Sequence, residues 1–265
     1  MQIVGYGTGA RDLTYDPFEG ISGEPGPATL VIADGDDIET VPLAPGTELA
    51  YTLGDRHCAG TRHDDGHTAC QNDSAPYCDA HTDTWPCARC TGDCELPLES
   101  CREEHAVYLA GFAPTTVKVG VTRLWRLGTR LREQGADRAA HIATVSNGRI
   151  ARQLEAELTA DFPDRVPTRQ KIQGLNQTVD ARTWTRALSA EEPIATFVFD
   201  YGLELNDQPV AETIATGTVI GHQGRLLVLE YADTTYAVDL RDLVGYEITP
   251  EPTGRELQSS LGSFG

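Results

Sequence analysis

Seven cysteines fall between Cys58 and Cys101 of this 265-residue chain. That cluster restricts the fold more than any other feature. Residues 55–104 also hold four of the seven histidines (His57, His63, His67 and His81) and few aliphatic side chains. A stretch so polar buries too little apolar surface to fold unaided and needs a staple. The start, Met1-Gln2-Ile3-Val4-Gly5-Tyr6, has neither a basic nor an apolar leader region, so a cytoplasmic location is expected, where thiols stay reduced. Zinc is then the expected staple, since thiolate and imidazole suit its tetrahedral shell. In Cys87-Ala88-Arg89-Cys90 the CxxC spacing lets two sulfurs meet one ion, and Cys94 and Cys101 complete a four-thiolate site. Upstream, Cys58, Cys70, Cys78 and His81 are candidates for a second site, with Cys78-Asp79-Ala80-His81 as the paired half and His57, His63 and His67 as substitutes. One or two structural zinc ions are expected. A redox CxxC sits at a helix start after a strand, whereas this one follows Trp85-Pro86 in polar sequence, which favours metal.

Charge adds a second constraint. The formal net charge is −19, and lysine occurs only at Lys118 and Lys171. Excess carboxylate with arginine as nearly the sole cation is the composition of proteins from salt-saturated cytoplasm, where a charged surface preserves solubility under heavy screening. Against this background residues 118–138 carry Lys118, Arg123, Arg126, Arg130, Arg132 and Arg138 with only Glu133 and Asp137, a local +4 that leaves −23 on the remainder. Such an island is either a solvated helix face or an anion site. No apolar run approaches the roughly 18 residues of a membrane span.

Patterning divides the chain into a β segment (1–54), the Cys/His module (55–104), an α/β domain (105–187), a C-terminal β domain (188–250) and a tail (251–265) expected to be disordered. The fold class read from this is α+β. Its β-rich ends form a small barrel or sandwich, to which N-terminal strands contribute. Ala28–Ala33 entering Asp34-Gly35-Asp36 reads as a strand and turn. The run Gly5-Tyr6-Gly7-Thr8-Gly9 lacks both the GxGxxG spacing and the βαβ context of a dinucleotide site. Strands are expected at 106–110 and 116–121, an Arg-rich helix at 124–133, and a further helix whose core face is Ile150, Leu154 and Leu158. Ser146, Thr122 and His141 suggest no triad, and Trp125 and Trp184 read as packing residues.

The middle segment carries a resemblance. Val107-Tyr108, Lys118-Val119-Gly120, Arg130-Leu131 and Leu154-Glu155 resemble the GIY-YIG nuclease core. In that superfamily two tyrosine motifs lie on adjacent strands, an arginine follows on the next helix, and a later helix supplies a metal-binding glutamate. The wider pattern is similar to an uncharacterised prokaryotic family of haloarchaeal type, carried by the Cys cluster, Tyr-Leu-Ala (108–110), Lys-Val-Gly-Val-Thr-Arg (118–123), Glu-Gln-Gly-Ala (133–136) and Asp-Ala-Arg-Thr-Trp (180–184).

The GIY-YIG resemblance implies Tyr108 as general base, Gly120 as the second-motif glycine, Arg130 or Arg126 as electrostatic clamp, and Glu155 as ligand of one Mg²⁺ or Mn²⁺. Phosphodiester hydrolysis needs such a base, positive charge on the transition-state oxygens and a metal at the leaving alkoxide. This chain departs from the pattern twice: the first-motif glycine is missing, and Lys118 stands where the second tyrosine belongs. Two function classes follow. One is a metal-dependent nuclease acting on nucleic acid held by residues 118–138. The other is a nucleic-acid-binding or protein-interaction adaptor that kept the fold without the chemistry.

Overall fold

The computed structural model describes residues 1–63, 66–82, 99–255 and 257. Its strands and helices run β1 (Gln2–Gly7), β2 (Thr14–Asp16), β3 (Gly20–Ser22), β4 (Ala28–Asp34), β5 (Asp37–Leu43), β6 (Glu48–Arg56), β7 (Thr61–His63), β8 (Gly66–Thr68), β9 (His105–Phe112), β10 (Thr116–Arg123), α1 (Leu127–Glu133), β11 (Arg138–Val145), α2 (Gly148–Leu158), α3 (Thr168–Gly174), α4 (Ala181–Ala187), β12 (Ala195–Val198), β13 (Val210–Ala211), β14 (Ala215–Gln223), β15 (Leu226–Tyr231), β16 (Thr234–Asp239), α5 (Leu240–Leu243) and β17 (Tyr246–Thr249). The β-rich α+β expectation holds. These elements form two compact units, one of residues 1–9, 26–83 and 201–265, the other of residues 10–25 and 84–200.

The first unit is built on a nine-stranded sheet of order β13-β16-β15-β14-β6-β17-β1-β4-β5. Strands from both chain ends therefore share one sheet: β1 pairs with β17 and β4, and β6 with β14 and β17. The divisions at 54/55 and 187/188 do not follow the units, because a strand is completed by whichever neighbour satisfies its backbone, near or far in sequence. Leu43 of β5 and Val238 of β16 lie in one core cluster with Ile3, Leu30, Leu49 and Leu229. The β4–β5 hairpin turns at Gly35, φ +64°, where the sequence places Asp-Gly-Asp. The glycine run after Ile3 is strand and loop, and the next element is β2, not a helix. Gly9, φ +68°, is required there because a Cβ would lie 1.9 Å from the Gly26 carbonyl oxygen. Beyond Pro250 the chain is tied down as far as Arg255. Tyr231 Oη donates to the Thr253 carbonyl, and Arg255 pairs with Glu212 at 2.8 Å. The disordered tail expected from 251 therefore does not begin there. Residues 256 and 258–265 lie outside the described residues.

The second unit has a four-stranded antiparallel sheet of order β10-β9-β11-β12. Both its faces are covered, and strand parity assigns each residue to one of them. One face carries Val107, Leu109, Val117, Val119, Ala140 and Ile142 beneath α2 and α4, through Ala151, Trp184 and Ala187. The other carries Ala106, Tyr108, Ala110, Phe112 and Ala139 beneath α1 and the β2–β3 hairpin, through Leu127, Leu131 and Tyr15. Helix α2 starts at Asn147, whose side chain accepts the Ile150 N–H. Its core stripe is Ala151, Leu154 and Leu158, and Ile150 is exposed. The helix is turned one residue from the expected Ile150-Leu154-Leu158 face, which lets the small Ala151 approach the sheet. Leu124–Arg126 form a 3₁₀ turn leading into α1, where a single helix was expected.

Candidate metal centre and a tyrosine–arginine cluster

Cys58 lies two residues beyond β6, fully buried, its N–H donating to the Asn72 carbonyl. The β7–β8 hairpin then returns the chain so that Cys70 comes back beside it. Cys78 opens a turn in which the His81 and Thr82 N–H groups both donate to its carbonyl. That turn sets Cys78 Sγ 3.3 Å and Cys58 Sγ 3.4 Å from His81 Nδ1. One ligand atom from each of Cys58, Cys70, Cys78 and His81 lies within 4.8 Å of every other. Tetrahedral zinc with ordinary Zn–S and Zn–N bonds separates sulfur from nitrogen by about 3.6 Å, so the donor set and its spacing are compatible with structural zinc.

Desolvation pushes the Cys58 thiol up. At Cys78 desolvation also opposes ionisation, but hydrogen bonds from Cys58 and from the Ala80 and His81 side outweigh it and bring the thiol down to about 7. The substitute ligands take other parts. His57 Nδ1 is 2.9 Å from the Cys70 carbonyl, His67 Nε2 is 2.7 Å from the Ala59 carbonyl, and His63 meets Thr68. Cys87, Cys90 and Cys94 lie outside the described residues, so of the downstream set only Cys101 is seen, buried in the other unit.

The second group is built on β9, β10 and α1. Gly120 pairs with Tyr108 and Lys118 with Ala110, so Tyr108, Lys118 and Gly120 share a face. Tyr108 is 1% exposed, its ring lying over Gly120. Arg130 of α1 lies beside Tyr108, and Tyr108, then Glu133, against opposing desolvation, raise the guanidinium above its usual range. Glu133 joins Arg126 at 3.2 Å and Arg130 at 3.7 Å. The Arg130 side chain is 48% exposed and that of Arg126 38%. Arg126 of the 3₁₀ turn and Arg130 of α1 are thus bridged by one carboxylate, with Arg130 beside a buried phenol.

Two members of the expected set do not join them. Lys118 is buried and its Nζ donates to the Asp164 carbonyl at 2.8 Å. Glu155 belongs to α2, which covers the opposite face of the sheet, and its carboxylate is held by Arg152 at 2.6 Å. Sequence spacing kept the order of the motif but could not assign the helix to a face.

Two residues taken as bland prove informative. His141 pairs with Tyr108 across β11, is fully buried, and lies 2.9 Å through Nδ1 from the Tyr15 hydroxyl and 3.0 Å through Nε2 from the Ala143 carbonyl. The Ala143 carbonyl calls for a proton on Nε2, and desolvation lowers the pKa of the ring. Trp184 is core, packed on Gly111, but Trp125 is 48% exposed. An aromatic between two arginines was the signal in the sequence.

A family model described as a protein of unknown function (DUF2797) matches residues 46–248. The chain belongs to that family. The match runs through the Cys3His cluster and the whole four-stranded sheet, so both are family territory. No curated protein and no solved structure matches the chain. No helix among the described residues is long and apolar enough to cross a membrane.

Proposed function

We propose that this DUF2797 protein binds nucleic acid through a GIY-YIG-like unit without cutting it, and that its Cys3His cluster holds structural zinc. The observation that carries this reading is the contrast between Arg130 and Glu155. Arg130 stands exposed beside Tyr108 and shares Glu133 with Arg126, whereas Glu155 is partly buried, paired with Arg152 on the opposite face of the sheet. The order of elements supports a GIY-YIG-like scaffold: Tyr108 and Gly120 on adjacent strands, Arg130 on the next helix, Glu155 on a later one. The chemistry fits binding better than hydrolysis. A general base must reach water, and Tyr108 is buried. A metal glutamate must share the pocket with the arginines, and the carboxylate that does so, Glu133, already neutralises two of them. Phosphate oxygens would replace Glu133 as charged acceptors for Arg126 and Arg130. Tyr108 then positions Arg130. Cys58, Cys70, Cys78 and His81 would hold the zinc with four protein donors, the donor count of a structural site.

Fluorescence anisotropy with labelled 20-mers in molar KCl, beside cleavage assays with Mg²⁺ or Mn²⁺, tests the proposal. Arg130→Ala is expected to weaken binding about tenfold, as loss of a charged hydrogen bond implies. Glu155→Gln is expected to bind as wild type, and no variant to cleave. Divalent-metal-dependent cleavage that disappears in Glu155→Gln would establish the nuclease instead, and absence of binding by wild type would remove both readings.

A further inference from the structure

Trp125 is the large aromatic that the basic island leaves in solvent. It sits in the 3₁₀ turn between β10 and α1, 48% exposed. Its indole Nε1 donates to Glu103 Oε2 at 2.9 Å, which fixes the ring's orientation. Arg123 and Arg126 place their guanidinium carbons 5.8 and 5.9 Å from the ring centroid. Arg123 also meets Glu103 at 3.7 Å, and Arg126 meets Glu133, the carboxylate shared with Arg130. An oriented indole, two flanking guanidiniums and a third close by occupy one turn and the start of one helix.

Burial does not explain this arrangement. Trp184, in the same unit, shows what a packing tryptophan looks like here: buried among Val107, Leu109 and Ala187. Exposing an indole forgoes the stabilisation of burying one of the largest apolar side chains. Oriented aromatics beside arginines are the elements from which single-strand binding surfaces are made, because every base has a π-face and every linkage a phosphate. A chain of net charge −19 also repels a polyanion at long range, so attraction must come from short-range contacts. Stacking is short-ranged and little affected by salt. Base-paired nucleic acid keeps its base faces covered, whereas unpaired bases offer theirs.

We infer that Trp125 is a base-stacking platform and that the ligand of the α1 face is single-stranded nucleic acid, Arg126 and Arg130 taking the phosphates next to the stacked base. This rests on the nucleic-acid reading above and narrows it to unpaired strands.

The test titrates full-length wild type, Trp125→Ala and Trp125→Phe with (dT)12, (rU)12 and a 12-base-pair duplex, by anisotropy and by tryptophan fluorescence. Wild type is expected to bind at least one single strand about fivefold or more tighter than duplex, with quenching of its fluorescence. The two oligomers decide between DNA and RNA. Trp125→Ala is expected to lose about 5- to 100-fold on the single strand and to lose the quenching, with duplex binding unchanged within about twofold. Trp125→Phe, which keeps a ring, is expected to restore most of the affinity. Raising KCl from about 0.1 to about 2 M should erode duplex binding faster than the Trp125-dependent part. Single-strand and duplex affinities that are equal and indifferent to Trp125 would overturn the stacking platform and leave nucleic-acid binding intact. No binding of any probe by wild type would overturn both.

Discussion

Gly120 and Tyr108 face each other across β9 and β10 so closely that a Cβ at 120 would lie 2.5 Å from the Tyr108 hydroxyl oxygen. The glycine makes room for the phenol, which lies beside Arg130. Gly120→Ala is therefore expected to push a fully buried ring off its site and to destabilise the unit by about 1–3 kcal/mol, the usual cost of overpacking. Urea denaturation measures it. Tyr108→Phe, which removes only the hydroxyl beside Arg130, is expected to cost about 0.5–1.5 kcal/mol. If Gly120→Ala were the milder of the two, the tight approach would not matter.

Metal content is the next expectation. Protein purified without added zinc is expected to carry at least one equivalent, and Cys78→Ser or His81→Ala to lower the content by one. None of Cys58, Cys70, Cys78 and His81 belongs to the large core cluster of the nine-stranded sheet. A strong chelator should therefore expose residues 57–82 to proteolysis while far-UV circular dichroism still reports the sheet. Less than half an equivalent per chain would remove the structural zinc.

Salt dependence follows from composition. The −23 outside residues 118–138 repels itself at low ionic strength, and screening relieves that repulsion. The melting temperature is expected to be higher in about 3 M than in about 0.1 M KCl. An equal or lower value would show that the acidic surface is no adaptation to salt.

Acid sensitivity follows from His141. Desolvation lowers its pKa, with the Ala143 carbonyl opposing in part, and desolvation likewise lowers that of His105. The unfolded chain then binds more protons than the folded one just below the ordinary histidine value of about 6.5. The stability these groups contribute is present above that pH and is lost as pH falls through the window toward their folded values. In 3 M KCl, where surface repulsion is screened, melting at pH 5.3 is expected to fall below melting at pH 7.5. His141→Gln should shrink the difference and leave the smaller part from His105. A difference unchanged in that variant would mean that His141 does not stay neutral in the fold.

Residue order alone carries what local chemistry can set. The grouping of Cys58, Cys70, Cys78 and His81 was legible because a turn three residues long and a short hairpin bring these side chains together. The β9–β10 hairpin and its parity were legible for the same reason, since alternation along a strand is set by the backbone. Tertiary structure alone decided which face each element covers. Leu154 and Glu155 fix a helix and its stripe, but nothing local says that α2 packs on Val107 and Leu109 and not on Tyr108, and that choice separates Glu155 from Arg130. It also decided that strands from the two chain ends share one sheet, and that Trp184 is buried and Trp125 exposed. Such choices depend on how distant apolar surfaces match one another, and that match is a property of the assembled chain and of no single segment.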